Sequence, residues 1–192
     1  EALALMGDAL ASKQRQMRQG SSLAVGSAFT LACQGSVLGD RGQFDLAQAA
    51  FVEASRLVGD SAHPVANSVR SWSVMVLLWQ GRWDDALAVA DESVWLAQRA
   101  AALLPMAIAR AAGGYALWRG QGLQRGFVQI EEAVQWMEQR RVQFYTSIYY
   151  GWLVEGLVEQ QRGAQARRHG ARLLGRARAG ELLGLGTGSR AL

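Results

Sequence analysis

Residues 31–54 read LACQGSVLGDRGQFDLAQAAFVEA and contain two short amphipathic patterns separated by a glycine-containing break. On each side of the break, large and small apolar residues recur at steps of four and then three, which places them on one face of an α-helix. Gly42 lies in the break, where a glycine supplies the left-handed conformation that ends a helix. The stretch therefore predicts a helical hairpin. Its patterned positions are Leu31, Gly35, Leu38, Ala47, Phe51 and Ala54.

The same break recurs along the chain, at Gly42, Gly81, Gly120 and Gly163. A period of about 40 residues with two helices in each period is typical of helical solenoids, because one hairpin buries its second face only by stacking on the next. Strand patterns are scarce. We predict helices at about 2–19, 22–39, 43–58, 63–80, 83–102, 106–119, 124–140, 143–162, 164–179 and from 181 onward.

The six patterned positions of residues 31–54 resemble the tetratricopeptide repeat, in which small residues let helix A and helix B of one repeat approach closely. Partial copies of the pattern follow in three further repeats. The resemblance implies an all-α fold, a right-handed superhelical array of antiparallel helix hairpins. In the fourth repeat, Arg168 and Arg172 occupy the helix B places of a small and a large apolar residue, which leaves the register of that helix in doubt. The further matching positions are Val74, Leu77, Ala86, Ala90, Ser93, Arg110, Gly114, Leu117, Gly126, Ile130, Ala133, Trp152 and Gly156.

We divide the chain as one repeat domain, 1–192, because the pattern covers nearly all of it. The predicted divisions are a partial repeat at 1–20, full repeats at 21–61, 62–102, 103–141 and 142–180, and a truncated repeat at 181–192. The chain starts at Glu1 inside an apparent helix, so we interpret it as a piece of a longer protein. Unsealed apolar end faces of such a piece predict self-association, with a homodimer as one form.

Two segments carry a further resemblance, GRWDDALAVADES at 81–93 and GWLVEGLVEQQRG at 151–163, together with the tail at 176–184. They are similar to the C-terminal arrays of bacterial signal-transduction ATPases, of regulators linked to adenylate or guanylate cyclase domains, and of LuxR-type regulators. The resemblance implies a non-catalytic protein- or ligand-binding segment that biases an attached effector domain. Neighbouring domains of the parent chain would then be partners, and any ATPase or cyclase activity would lie outside these residues.

The composition argues against an enzyme, a cofactor site or a metal site. Half of the 192 residues are apolar, and the chain has one cysteine and two histidines. His63 precedes a proline, and His169 lies among arginines far along the chain, so no catalytic or metal-ligand spacing joins them. No apolar run is long enough for a membrane span, and no signal-peptide pattern is visible. With a single cysteine, these features favour the bacterial cytoplasm.

The aromatic residues point to a binding groove. In tetratricopeptide arrays the A helices line the concave groove, and tyrosine, tryptophan and arginine are the residue types that anchor interfaces. A groove of this kind suits an extended peptide, a partner helix or a small amphipathic ligand. Projecting the repeat register predicts a groove lined by Ser71, Met75, Trp79, Tyr115, Trp118, Arg119, Tyr150, Leu157 and Gln160.

The C-terminal part of the chain is basic, with seven arginines and one acidic residue from 160 to 192. An arginine-rich helix can hold phosphate groups by counterion release, so a nucleic-acid-binding array is the alternative function. No aromatic residue is interleaved to stack on bases, and a solvated or domain-contact face is the main interpretation of this surface. The arginines concerned are Arg167, Arg168, Arg172, Arg176 and Arg178.

Overall fold

A computed structural model describes residues 2–18, 24–59, 63–142 and 146–180 of the chain. This part of the chain contains nine α-helices and no strand, which confirms the all-α prediction. The predicted helix from 181 onward lies outside the described residues. The helices are α1 (Ala2–Arg18), α2 (Ala24–Asp40), α3 (Phe44–Val58), α4 (Pro64–Trp79), α5 (Trp83–Arg99), α6 (Leu103–Gln121), α7 (Gln124–Gln139), α8 (Thr146–Glu159) and α9 (Gly163–Arg178).

The chain divides into two compact units, residues 1–112 and 113–192, with the division inside α6. In the first unit α2 packs against α1, α3 and α4, and α4 also packs against α3 and α5. In the second unit α8 packs against α7 and α9. Each unit is therefore built from helices that pack on their neighbours in the chain, and in the first unit α2 also contacts the next helix but one.

Helix starts follow local chemistry. His63 caps α4 by accepting a hydrogen bond from the Val65 amide on Nδ1 at 3.1 Å, and Pro64 occupies the first helical position. That position suits proline, because its missing N–H has no intrahelical partner to lose. Helix α6 begins at Leu103, three residues before the predicted start, with Pro105 inside its first turn. The first turn tolerates proline for the same reason, so Pro105 does not mark the helix boundary.

The turn inside each hairpin repeats one backbone arrangement. A left-handed residue stands at Gly42, Gly81, Gly122 and Gln161, and successive members of this set are one repeat apart. The predicted break glycines at 120 and 163 are therefore wrong for the last two turns, since Gly120 lies inside α6 and Gly163 begins α9. The fourth turn uses Gln161 at φ 59° instead of a glycine, a conformation that few non-glycine residues adopt.

A leucine carbonyl closes each of these four turns. The amides of Gln43, Arg82 and Arg162 donate to the carbonyls of Leu38, Leu77 and Leu157, respectively, at 2.8–2.9 Å. The α6–α7 turn is one residue longer, and the Leu123 amide donates to the Leu117 carbonyl at 3.2 Å. The four acceptor leucines follow one another at a nearly constant interval. The period predicted from the sequence is thus present in the backbone geometry.

Several glycines allow close contacts between helices. A Cβ on Gly35 of α2 would lie 2.8–3.1 Å from ring atoms of Phe51 on α3, and a Cβ on Gly114 of α6 would lie 2.5 Å from the Gly126 carbonyl oxygen on α7. Both contacts join the two helices of one predicted repeat. Gly156 of α8 instead faces Phe127 of the preceding α7, where a Cβ would overlap the edge of the ring. In the fourth predicted repeat the small residue of helix A therefore accommodates helix B of the preceding repeat.

The structure resolves the register of α9. Its buried residues are Ala166, Gly170 and Leu173, whereas Arg168 and Arg172 are exposed. Ala166 lies four residues after the N-cap of its helix, the same offset as Ala47 in α3. The four-then-three spacing of buried positions therefore continues in α9 at Ala166, Gly170 and Leu173, and Arg168 and Arg172 lie on exposed faces of the helix.

Candidate functional site: an aromatic and ionic cluster and a polar cleft

Helices α6 and α8 bring together an aromatic cluster in the second unit, made of Tyr115, Trp118 and Trp152. The rings of Tyr115 and Trp152 stack with centroids 4.3 Å apart and an interplanar angle of 17°. Trp118 meets Tyr115 edge-on at 5.9 Å and packs on Phe127 of α7 at 5.3 Å. Offset and edge-on pairs of this kind add to the energy of burial alone. They fix the orientation of the half-buried Tyr115.

An ionic network lies beside this cluster. Arg119 donates from Nη2 to Glu155 Oε1 at 2.7 Å and from Nη1 to Glu159 Oε1 at 2.8 Å. The guanidinium carbon also lies 4.8 Å from the centroid of the Trp118 ring. Because two carboxylates and one ring hold it, Arg119 presents a defined donor pattern at the surface.

Tyr115 connects the ring cluster to this network. Its hydroxyl donates to Glu155 Oε2 at 3.3 Å. Burial and the nearby Glu155 carboxylate raise the pKa of Tyr115 to about 12, although Arg119 acts in the opposite direction. The phenol therefore keeps its proton across the physiological range and serves as a hydrogen-bond donor. A protonated phenol of this kind can bind a hydrogen-bond acceptor of a partner, and it cannot act as a base.

Two of the projected groove residues are buried. Ser71 in the first unit and Leu157 in the second are each 1% exposed, and Ser71 Oγ donates to the carbonyl of Asn67 in its own helix at 2.9 Å. Neither side chain therefore lies on an open groove surface, and Leu157 instead lines a cleft that is described below. Met75 and Trp79 are half-buried, and Trp79 lies within 2.9 Å of the position that a Cβ on Gly39 would take.

The remaining projected residues belong to the second unit. Tyr115 and Arg119 lie one turn apart on α6 and are partly exposed, whereas Trp118 is buried and packs on Phe127. Tyr150 instead faces α9, where its ring lies 6.1 Å from that of His169. Gln160 is half-buried, and its Oε1 accepts from Arg162 Nη1 at 3.3 Å.

Sequence reasoning missed three residues of the cluster, Trp152, Glu155 and Glu159. A signal for two of them was present. Glu155 and Glu159 each stand 40 residues after one of their partners, Tyr115 and Arg119. Since that separation is one repeat, equivalent positions on successive A helices become neighbours, and a search for complementary polar residues one repeat apart would have found both pairs.

The basic surface of α9 is partly neutralised. Arg172 is paired with Glu138 of α7, and Arg176 Nη2 reaches the Val142 carbonyl at 3.5 Å. Arg167, Arg168 and Arg178 are exposed. The five predicted arginines therefore do not act as one uninterrupted row of free cations.

A polar cleft lies between α7, α8 and α9, with a volume of about 270 Å³. Its floor is apolar, made by Val134, Leu153 and Leu157. Glu131 pairs with Arg162 across the cleft at 2.7 Å. The other polar residues that line it are Gln135, Glu138, Gln165, Arg168 and His169.

His169 is the least satisfied group of this cleft. Its Nδ1 is buried, has no hydrogen-bond partner, and lies 3.5 Å from Glu138 Oε1, too far for a good hydrogen bond. Burial lowers the pKa of His169, with Arg172 and Arg168 acting in the same direction and Glu138 and Glu131 against it. The ring is therefore neutral at pH 7. The sequence offered a weak signal for the contacts of Glu131 with Arg162 and of Glu138 with His169. Both members of each contact recur at the same spacing, about two helical turns, so they can lie on facing sides of α7 and α9.

No protein-family model matches this chain, and no curated protein is similar to it at a significant level. Among the described residues, no group of three or more His, Cys, Asp or Glu side chains is placed to hold a metal ion. None of the described helices is both long and apolar enough to cross a membrane.

Proposed function

We propose that the chain is a tetratricopeptide-like superhelical array that acts as a non-catalytic protein-binding segment of a bacterial, cytoplasmic signalling regulator. In this proposal the surface formed by Tyr115, Arg119 and Glu159 on α6 and α8 binds a segment of a partner protein, and binding biases an attached effector domain. Neighbouring domains of a longer chain and a second copy of the chain are further proposed partners.

The stacked Tyr115–Trp152 pair under the Arg119 network is the observation that carries this proposal. Interface anchors are typically tyrosine, tryptophan and arginine side chains that are already held in position before binding. Here the rings fix Tyr115, and Glu155 and Glu159 fix Arg119. The proposed array is supported by hairpin packing in both units, by the recurring leucine-closed turn, and by contacts between residues one repeat apart.

Peptide selection tests the binding surface. Random linear peptides displayed on phage are selected on the purified chain, and the affinities of the selected peptides are measured by fluorescence polarisation. We expect Arg119→Ala to weaken binding at least tenfold, because truncating an anchor at an interface costs about 2 kcal/mol or more. Circular dichroism should show unchanged helix content.

Arg99→Ala is the matched control, since Arg99 also lies over a tryptophan ring, at 4.6 Å from the Trp95 centroid, but on α5. The control should leave affinity unchanged. Selection of no peptide, or equal losses in the two variants, would contradict the assignment of this surface.

The alternative function, a nucleic-acid-binding array, depends on the exposed Arg167, Arg168 and Arg178. It predicts binding of random duplex DNA that weakens steeply with salt. The pairing of Arg172 with Glu138 reduces the free positive charge on α9, and this observation favours the protein-binding proposal.

A further inference from the structure

The polar cleft of the second unit has an equivalent in the first. A cleft of about 490 Å³ lies between α3, α4 and α5. The polar cleft is lined by α9 at positions 162, 165, 168 and 169, and the other cleft by α5 at positions 82, 85, 88 and 89, which have the same spacing. Leu153 and Leu157 of α8 likewise match Ser73 and Leu77 of α4, two repeats earlier. Each unit therefore has its own cleft, and the two clefts occupy equivalent positions in the repeat.

At two equivalent positions, apolar residues of the first cleft are replaced by basic residues in the second. Ala88 and Val89 in the first cleft correspond to Arg168 and His169 in the second. On the facing helix, α7 lines its cleft at positions 131, 134, 135 and 138, with the same spacing as positions 48, 51, 52 and 55 of α3. Gln135 and Glu138 therefore stand where the first cleft has a valine and a serine. Apolar side chains at positions 88 and 89 are compatible with this cleft, so the fold does not require the arginine and histidine of the second.

The lining of the polar cleft holds two carboxylates, Glu131 and Glu138, and two guanidinium groups, Arg162 and Arg168. Glu131 is paired with Arg162, and Glu138 with Arg172. Arg168 also lines the cleft, and within the described ranges no carboxylate lies at ion-pair distance from it. Because Arg172, which does not line the cleft, takes Glu138, the exposed Arg168 is left without a carboxylate partner in those ranges, and it adjoins His169, whose buried Nδ1 has no hydrogen bond.

We infer that this cleft binds a small carboxylate with a short apolar body. The Arg168 guanidinium and His169 Nδ1 hold the carboxylate, because both groups can donate hydrogen bonds to it. Val134, Leu153 and Leu157 contact the apolar body. The cleft volume of about 270 Å³ admits a ligand of roughly ten non-hydrogen atoms, since a cavity of ~150 Å³ already accepts benzene. This site is separate from the surface around Arg119 and goes beyond the proposed function.

Binding of simple probes tests the inference. Hexanoate, hexanol and inorganic phosphate are titrated into the full chain by isothermal calorimetry at low salt. We expect hexanoate to bind with a Kd in the millimolar range or tighter, because a ligand of this size has few atoms with which to gain affinity. Hexanol and phosphate should each bind at least tenfold more weakly, since hexanol lacks the anion and phosphate lacks the apolar body.

Variants locate the site. Arg168→Ala combined with His169→Val gives the polar cleft the residues of the first cleft, so the chain should fold and lose at least tenfold in hexanoate affinity. Arg167→Ala is the control, because Arg167 is an exposed neighbour on α9 that does not line the cleft. Absence of hexanoate binding, equal binding of hexanol or phosphate, or full binding by the double variant would each overturn the inference.

The pH dependence of hexanoate binding is a separate measurement. An anion beside His169 favours its protonated form, so affinity should rise as pH falls through the lowered pKa of this histidine, below pH 6.5. His169→Gln should remove this rise. A rise that persists in the variant would overturn the placement of the carboxylate beside His169. The other charged or titratable groups near His169 are Glu131 and Glu138 on α7, Tyr150 on α8, and Arg168 and Arg172 on α9.

Discussion

Gly156→Val is expected to lower the free energy of unfolding by about 3 kcal/mol, at the upper end of what overpacking a protein core costs. A Cβ at this position would lie 2.5 Å from Cδ2 and 2.9 Å from Cζ of Phe127. Phe127 is 0% exposed and also packs on Trp118, so its ring has no free volume into which it can move. Urea denaturation followed by circular dichroism measures the change.

Gly175→Ala is the control for this substitution. Gly175 lies inside α9, and a Cβ there would meet nothing within 4 Å. Alanine should therefore stabilise the chain by about 0.5–1 kcal/mol through its better helix propensity. Phe127→Leu in the Gly156→Val background should recover part of the lost stability, with a coupling energy of about 1 kcal/mol or more. Strict additivity of the two changes would show that the Gly156–Phe127 contact does not limit packing.

Phe51→Ala is expected to have an effect of similar size in the first unit, about 3–5 kcal/mol, because it removes a large buried ring and leaves a cavity. Phe51 is 4% exposed, belongs to the core cluster of this unit, and lies against Gly35 of α2. The neighbouring glycine has no side chain that could fill the space. The midpoint of urea denaturation should fall accordingly.

Val52→Ala tests whether burial is the cause, since Val52 adjoins Phe51 on the same helix but is 70% exposed. The free energy of unfolding should change by no more than about 0.5 kcal/mol. Equal losses at positions 51 and 52 would contradict the assignment of Phe51 to the core.

The helices were well predicted from the sequence because their boundaries depend on local chemistry. The positions of α2 to α5 follow from apolar spacing and from turn residues that end helices at Gly42 and Gly81. The prediction of the helix boundary failed at the turn between α8 and α9, which has no glycine in the left-handed position. Gln161 takes the left-handed conformation without being glycine, so the sequence predicts the break at Gly163 and leaves the register of α9 in doubt.

The candidate site was less predictable, because side-chain contacts depend on how helices rotate about their axes. Tyr115 and Arg119 could be paired from their helical spacing, but their partners on α8 come from another repeat. Leu157 and Tyr150 were projected onto a groove, and the structure turns both toward other helices. Rotation of a helix by one residue, about 100°, is enough to convert a surface position into a core position.

The longer connection between α6 and α7 has a consequence for how such chains diverge. The turn between Leu117 and Leu123 contains one more residue than the other turns, yet Leu77, Leu117 and Leu157 are evenly spaced along the chain. Insertions and deletions can therefore accumulate in these connections while the packing faces stay in phase. Repeats of this kind in distant homologues should be aligned on the leucine whose carbonyl closes the turn. Gaps should be allowed in the turn itself, and a fixed repeat length should not be imposed.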